Sequence, residues 1–251
     1  MTPAAGDATP RDPRDEALAR LQAQYERLLQ RLEANEREFR RLGRSVWKVQ
    51  EDERRRVARE LHDGLGQTLT ALKHRLARLI DELPGDAGVT HAGLADAMAT
   101  CSEALEDTRQ LSRLLRPPIL DDLGLQPALQ WLARSIEQGG RMVVVLELEP
   151  LPPLDTELQT LLFRVAQEAL TNASKHARAA SVLLRLVERD GRLDLQAIDD
   201  GVGCDPERAL RGGNGLGGLR ERLRLHGGTL QLRSEPGQGM RLRASVPLDG
   251  A

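Results

Sequence analysis

The chain has 251 residues, of which 40% are hydrophobic but only 2% aromatic, so aliphatic side chains must build its core. Charged residues make up 29% of the sequence and nearly cancel to a net charge of −2, which argues against binding nucleic acid through bulk positive charge. The two cysteines lack the spacing of a metal site, and no apolar run reaches the roughly 20 residues of a membrane helix. We therefore expect a cytoplasmic protein with no membrane span, no signal peptide and no direct contact with nucleic acid.

The N-terminal region predicts a tail followed by a coiled coil. Residues 1–15 show no periodicity and are expected to be a disordered tail. Over residues 16–52, seam positions recur at alternating steps of three and four, which favours a parallel dimeric coiled coil over a single amphipathic helix, because the flanking positions are charged. The seam positions are Leu18, Leu21, Tyr25, Leu28, Leu32, Asn35, Phe39, Leu42, Val46 and Val49. A four-residue insertion precedes Val57, and we hypothesise that this stutter passes a rotation into the next segment.

Residues 53–118 predict a helical hairpin that carries a reactive histidine. Leucines at helical spacing form one buried stripe, and His62 and Asp63 lie beside Leu61, off that stripe and facing solvent. Gly64 and Gly66 follow at once, although each costs roughly 1 kcal/mol against Ala in a helix interior, so we expect the helix to need room or bending there. We interpret His62 as a phosphoacceptor.

A second predicted helix, from about residue 90 to 115, ends before Pro117 and Pro118. Two such hairpins, one from each copy of the chain, would bury both stripes in a four-helix bundle. Beyond residue 119 the pattern changes to helices mixed with a mostly antiparallel sheet, which predicts an α+β sandwich. The predicted helices are 126–138, 156–177 and one ending at 225, and the predicted strands are 142–149, 181–188, 192–198, 229–233 and 240–246.

The predicted long helix over residues 156–177 carries a possible metal and phosphate site. Glu168 and Asn172 are four residues apart and share a face. Their oxygens suit a hydrated Mg²⁺, and Lys175, nearly one turn further, adds a positive charge for phosphate. Taken alone the motif is weak, because Glu and Asn are ordinary on a solvated helix face.

Two glycine-containing motifs follow. Asp199 ends a predicted strand and is followed by Gly201 and Gly203, an arrangement that suits a purine but also an ordinary turn. Further on, Gly213 and Gly215 belong to a flexible loop that leads into a helix, whose free N–H groups favour phosphate. A dinucleotide-binding interpretation of this loop fails, because no strand runs directly into it.

The order of these motifs resembles a known family. Glu-x-x-x-Asn, then Asp-x-Gly-x-Gly, then a Gly-x-Gly loop is similar to the nucleotide-binding domain of the GHKL ATPases, which include gyrase, Hsp90, MutL and the histidine kinases. With the upstream sequence ELHDGLGQ and the link LRPPILDDLGLQPAL, the chain resembles sensor histidine kinases of the nitrate-sensor and desaturase-regulator class over about residues 50–248. The resemblance implies an α+β chain in which a coiled coil and a dimeric four-helix bundle precede an α/β-sandwich GHKL (Bergerat-type) ATP-binding domain, residues 119–251.

The resemblance also implies an activity: an ATP-dependent protein histidine kinase that acts as a homodimer. His62 would attack the γ-phosphate of ATP through a ring nitrogen while Asp63 serves as general base. The phosphoryl group would pass to an Asp in the receiver domain of a response regulator. Gln67 matches the position that orients water for dephosphorylating that partner.

In the nucleotide site, the resemblance implies roles for five side chains. Glu168 and Asn172 would organise Mg²⁺, Lys175 and His176 would contact the phosphates or ribose, and Asp199 would bind adenine. The glycines that would shape the pocket and its lid are Gly201, Gly203, Gly213, Gly215 and Gly217.

One residue departs from the family pattern: Met240 stands where the family usually has Thr, which we expect to weaken nucleotide binding without abolishing it. Two alternatives to the kinase stay open from the sequence. One is a GHKL ATPase that uses Glu168 to activate water. The other is a pseudokinase or coiled-coil scaffold that binds ATP only as a switch.

Overall fold

The structure, a computed structural model, describes residues 13–83, 88–140, 142–211 and 215–248. The chain forms two compact units, residues 1–45 and 46–251, and helix α1 (Pro13–Glu60) contributes residues to both. Of the predicted tail at residues 1–15, only 13–15 are described, and they are helical rather than disordered. Pro13 suits the first helical position, where its missing N–H costs nothing.

In the first unit, α1 carries the predicted seam on its surface. Six of its apolar residues are well exposed in the single chain: Leu21, Tyr25, Leu28, Leu32, Phe39 and Leu42. Charged residues of α1 pair along the helix, as Arg40 does with Glu36 at 2.7 Å. A stripe of large apolar side chains in water favours association with another helix.

The helical part of the second unit is a hairpin in which the first arm is interrupted. After α1, Leu61–Gly66 form a π-helical segment, and α2 (Gln67–Glu82) and α3 (Gly88–Leu115) follow. Two hydrogen bonds show the antiparallel packing: Cys101 Sγ donates to the Leu69 carbonyl at 3.3 Å, and Ser112 Oγ donates to the Ala58 carbonyl at 2.8 Å.

The π-helical segment explains the paired glycines. A Cβ atom at Gly64 would meet no atom within 4 Å, and one at Gly66 would meet only the Leu61 carbonyl at 3.6 Å, so crowding does not require either glycine. The hydroxyls of Thr68 and Thr70 donate to the carbonyls of Gly64 and Gly66 at 2.9 and 2.7 Å. The expected bend is therefore a wider helical turn.

A five-stranded sheet with helices on one face forms the rest of the second unit. The strands are β1 (Val143–Leu148), β2 (Ser181–Arg189), β3 (Arg192–Asp199), β4 (Thr229–Ser234) and β5 (Met240–Pro247), in the spatial order β1-β2-β3-β5-β4. The β1–β2 pair is parallel and the other pairs are antiparallel. The covering helices are α5 (Leu125–Gly139), α6 (Thr156–Asn172) and α8 (Leu216–Leu225).

Alternation along the strands divides the sheet into a core face and a solvent face. Core residues from β2 and β3 include Leu184, Leu186, Leu193 and Leu195, all fully buried. They pack with the buried side chains of α6, among them Phe163. The predicted α+β sandwich is confirmed, and aliphatic side chains build nearly all of its core.

Two short helices were not predicted, and one long helix was predicted to extend past its observed C-terminal end. Helix α4 (Pro118–Asp122) follows directly on α3, and α7 (Pro206–Arg211) lies inside the segment predicted as a glycine-rich loop. Asp205 caps α7 by accepting from the Glu207 amide at 2.9 Å, which together with the following proline is a recognisable start signal. Residues 173–177, predicted as α-helix, are a second π-helical segment (Ala173–Ala177).

Among the helices in the described part of the chain, none is long and apolar enough to cross a membrane.

Candidate functional site

His62 and Asp63 lie exposed on the π-helical segment, as the hydrophobic stripe predicted. They line a cavity of about 460 Å³ together with Arg59, which lies one turn before His62. Gln67, the first residue of α2, shares a second cavity of about 370 Å³ with His62. The structure thus brings His62 together with Asp63 on one side and with Gln67 on the other.

A pocket of about 300 Å³ lies between α6 and the ends of β3 and β5. Among the residues predicted for the nucleotide site, it is lined by Glu168, Asn172, His176, Asp199 and Gly203. Residues from three elements of the fold, which are α6, the second π-helical segment and β3, and from two sequence motifs therefore meet in one concave site, as small-molecule sites commonly do.

Glu168 and Asn172 are in direct contact across one turn of α6. Asn172 Nδ2 donates to Glu168 Oε1 at 3.0 Å, which leaves the second carboxylate oxygen and the amide oxygen available. Gly215 closes against the same carboxylate: a Cβ atom there would come within 2.6 Å of Glu168 Oε1, and its φ is +90°. Only glycine fits that position without displacing Glu168.

Asp199 is a buried carboxylate at the end of β3. It accepts from the backbone N–H of Gly201 at 2.9 Å and from that of Met240. Burial nevertheless raises its pKa above the usual range, and the nearby charge of Asp200 raises it further. A carboxylate that lines the pocket can accept a further hydrogen bond there, such as one from an amine.

The glycines after Asp199 are needed for close backbone approach. A Cβ atom at Gly201 would collide with the carbonyl of Ala177, and one at Gly203 with the carbonyl of Glu235. Gly203 also has a φ of +71°. These two positions join the start of the predicted lid to the second π-helical segment and to the turn after β4.

Five residues predicted for the nucleotide site are not among the residues that line the pocket, and one of them, Gly215, lies against Glu168. Lys175 is exposed on the second π-helical segment, and Gly217 lies in the first turn of α8, and neither lines the pocket. Gly201 does not line the pocket, but its N–H donates to Asp199, which does. Gly213 lies outside the described residues.

Met240, the departure from the family pattern, lines the pocket and is nearly buried. It is the first residue of β5 and pairs with Ser234 of β4. The Ser234 hydroxyl donates to the Gly239 carbonyl and accepts from the Cys204 amide. That hydroxyl is therefore engaged in holding the two strand ends.

Several lining residues carried no sequence signal. Cys204, which showed only that it lacks the spacing of a metal site, is half-buried and forms part of the pocket wall. The others are Ala177, Ala209 and Leu216. Small and aliphatic side chains that shape a ring-binding pocket match no motif, although the order of Asp199, Gly203 and Cys204 along one loop places the cysteine beside the site.

The donor set fits a nucleotide with a hydrated metal. Within the described ranges, no three His, Cys, Asp or Glu side chains cluster as metal ligands. A metal here would depend on the oxygens of Glu168 and Asn172 completed by water and phosphate, which is the coordination that Mg²⁺ prefers. When bound, Mg²⁺ would neutralise charge on the phosphates.

The exposed His62 lies on a helical hairpin, and the pocket lies in the α/β sandwich that follows it along the chain. A family model described as "Histidine kinase" matches residues 53–120. A second, described as "Histidine kinase-, DNA gyrase B-, and HSP90-like ATPase", matches residues 157–250. Together they cover more than half of the chain, which belongs to the histidine kinase family.

Relatives from several bacteria agree. The chain is 31% identical over 215 residues to the signal transduction histidine-protein kinase/phosphatase DegS of Brevibacillus brevis, a match covering 84% of this chain and 55% of that protein. It is 38% identical over 210 residues to the signal transduction histidine-protein kinase/phosphatase UhpB of Salmonella typhimurium, covering 82% and 41%. This chain therefore spans about half the length of these two relatives.

Among solved structures, the histidine kinase domain from the Erythrobacter litoralis EL346 blue-light activated histidine kinase is similar with a TM-score of 0.49 and 21% identity. The match covers 72% of this chain and 94% of that one.

Proposed function

We propose that the protein is an ATP-dependent histidine kinase that autophosphorylates on His62 and passes the phosphoryl group to an aspartate of a response regulator. The observation that carries the proposal is the exposed His62–Asp63 pair within the matched histidine kinase segment. The nucleotide pocket in the same chain supports it. The same proposal includes homodimerisation through the hairpin and the coiled coil. The exposed leucines of α1 and α2 support it.

The proposed reaction is an in-line displacement. A ring nitrogen of His62 attacks the γ-phosphorus of ATP, the N–P bond forms, and the bond from phosphorus to the bridging oxygen of ADP breaks. Asp63 accepts the proton from the other ring nitrogen and so keeps the attacking nitrogen nucleophilic. Asp199 would hold the adenine amine, and Glu168 and Asn172 would hold hydrated Mg²⁺ near the phosphates. His176 lines the same pocket and would contact the phosphates or ribose, as would Lys175 from the exposed segment beside it.

Incubation with γ-labelled ATP and Mg²⁺ tests the kinase. We expect an acid-labile, alkali-stable label on the wild type, none on His62→Gln, and full labelling of His74→Gln, a matched control on α2. Label retained by His62→Gln would refute the site. Phosphate release without labelling would instead favour the GHKL ATPase. If neither label nor phosphate release is seen, the result would favour the nucleotide-binding scaffold.

A second proposed activity is dephosphorylation of the response regulator. The relatives' names include a phosphatase, and Gln67 shares a cavity with His62. The Gln67 amide would orient a water that attacks the aspartyl phosphate and releases inorganic phosphate. We expect Gln67→Ala to slow that release more than tenfold while leaving autophosphorylation within twofold. Equal loss of both activities would show that Gln67 serves the fold rather than the water.

A further inference from the structure

The last turns of α1 pack against the nucleotide-binding part of the second unit. Trp47 is only 4% exposed and belongs to the same core cluster as Leu120 and Leu129. Its ring meets His226, just after α8, edge-on, with centroids 5.3 Å apart and planes at 82°. One turn later, Gln50 Oε1 accepts from Arg222 at 3.4 Å. The residues that α1 uses here lie between its predicted seam positions, so they would remain docked beside a dimeric seam.

Glu51 lies one turn after Trp47 and is 6% exposed. Both of its oxygens accept from Arg164 of α6, at distances of 2.7 to 3.2 Å. Arg164 also donates to the carbonyl of Leu115, the last residue of α3, at 2.6 Å. One carboxylate therefore ties α1, the end of the hairpin and the nucleotide-binding domain together.

A second carboxylate extends this ion network. Asp121 of α4 accepts from Arg116 at 2.7 Å and from Arg55 at 2.5 Å. Arg116 also donates to Thr160 of α6 at 3.2 Å and lies 3.8 Å from Glu51. Arg55, Arg116 and Arg164 thus share two carboxylates, and Arg116 and Arg164 are buried. Loss of Glu51 would leave two buried guanidinium groups facing each other without their shared counter-charge.

The docked arrangement keeps the two reactive parts on separate surfaces. Of the residues described, none that lines the nucleotide pocket also lines either cavity beside His62. Glu51 precedes His62 by eleven residues, roughly 16 Å along a helix. While Arg164 holds Glu51, α6 and the pocket that it carries are fixed against the helix that leads to the same chain's His62.

We propose that residues 47–55, here called the docking segment, are an intramolecular brake that binds the nucleotide-binding domain and must be released before the phosphoryl group is transferred. The surface that receives it includes Arg164 of α6 together with Arg222 and His226 at the end of α8. It fits a helix with an aromatic residue followed one turn later by a carboxylate. The activity test of this inference rests on the proposed kinase function, whereas the docked geometry does not depend on it.

Removal of the shared carboxylate tests the brake. We expect Glu51→Gln to raise the initial autophosphorylation rate at least threefold, with affinity for a fluorescent ADP analogue unchanged. The matched control is Glu53→Gln, two residues along, where Glu53 makes an exposed pair with Arg56 at 2.5 Å; its rate should stay within twofold of wild type. An unchanged or lower rate in Glu51→Gln, with ADP affinity intact, would overturn the brake.

A reversible crosslink tests docking without relying on activity. In a Cys101→Ala, Cys204→Ala background, which removes the two native thiols and serves as the reference for activity, cysteines placed at positions 50 and 222 and joined by a short reducible bifunctional thiol reagent should give an intramolecular crosslink identified by mass spectrometry. The single-cysteine variants should give none, and adding Glu51→Gln should lower the yield. The crosslink should suppress autophosphorylation, and a reducing agent should restore it.

The crosslink outcomes separate the two proposals. A low yield in the otherwise unchanged chain, or full activity while crosslinked, would overturn docking as a brake. Absence of label in every variant would overturn both the kinase and the brake on it, whereas a high crosslinking yield in those samples would retain the docked geometry.

Discussion

Asp199 is a buried carboxylate for which we propose the role of accepting a hydrogen bond from a ligand. The ionised form suits an adenine amine, but burial disfavours that form and raises the pKa of the side chain. Because its pKa is higher folded than unfolded, Asp199 favours the folded state when protonated. That contribution is present in acid and is lost as pH rises through the raised folded pKa. At neutral pH the protein therefore accepts a stability cost at its nucleotide site.

Replacement of this carboxylate should separate stability from binding. We expect Asp199→Asn to weaken ADP binding roughly tenfold to a hundredfold, the loss of a hydrogen bond to a charged acceptor. The variant should unfold at higher denaturant than wild type at pH 7.5, with the gain shrinking as pH is lowered. Calorimetric titration and urea unfolding would measure the two effects. A variant less stable than wild type at pH 7.5 would show that the carboxylate stabilises the site.

At the scale of single residues, the sequence predicted the side chains whose placement follows from their spacing along the chain. Glu168 and Asn172 were expected to share a face, and they are hydrogen-bonded. Cys204 was missed because a pocket wall needs only the right volume, which no motif encodes. Glu51 and Arg164 were also missed, since 113 residues separate the partners and each looks like an ordinary surface charge by itself.

Among the elements, the first π-helical segment distinguishes the arm that carries His62 from an ordinary helix. It places a wider turn at the proposed phosphoacceptor, and such turns are frequent at functional sites. Its glycines are not sterically required, so they are there to favour the turn rather than to make room.

A single methyl group should therefore stabilise the hairpin and impair the proposed activity. We expect Gly64→Ala to raise the free energy of unfolding by up to about 1 kcal/mol and to slow autophosphorylation several-fold, because alanine favours the tighter α-helical turn. Gly93→Ala is the control, since Gly93 lies in α3 and its Cβ would also meet nothing within 4 Å. If Gly64→Ala gains stability with no loss of rate, the wider turn plays no part in transfer.

Element boundaries were predictable where periodicity is long. The start of α6 and the ends of the five strands fell within a few residues of expectation, whereas the C-terminal end of α6 was predicted five residues too late. The short helices α4 and α7 span too few residues to show a period. The π-helical segments were invisible because their residues keep helical dihedral angles and add only one residue to a turn.

For the whole molecule, the predicted coil is the part that a single chain leaves incomplete. Its apolar stripe is exposed, and Asn35 interrupts it with a polar side chain. In coiled coils such a residue fixes register and oligomeric state at a cost in stability.

A substitution at Asn35 should show whether a second copy of the chain associates through the coil. We expect Asn35→Leu to raise the thermal midpoint and to allow species larger than a dimer, measured by light scattering with calorimetry. Glu36→Gln, at an exposed flanking position, should change neither mass nor midpoint by more than a small amount. A monomer in both variants at micromolar concentration would refute the dimeric coil.

The arrangement of the whole chain was the least predictable level. The order of coil, hairpin and nucleotide-binding domain followed from motifs, but docking of α1 did not. Its contacts use Trp47 and Glu51, residues that the heptad pattern treats as flanking positions. Long-range contacts of this kind depend on which surfaces meet after each part has folded.

The π-helical segment also makes the chain tolerant of a change in length at one place. A π turn holds one residue more than an α turn closing the same gap, so deleting one residue between 61 and 66 would restore an ordinary helix. The stripe formed by Leu72 and Leu79 would keep its direction relative to Ala58. The same deletion within α2 would rotate every later residue by about 100°. This hairpin therefore has one place at which deletion of a single residue leaves the bundle in register and re-aims only the histidine.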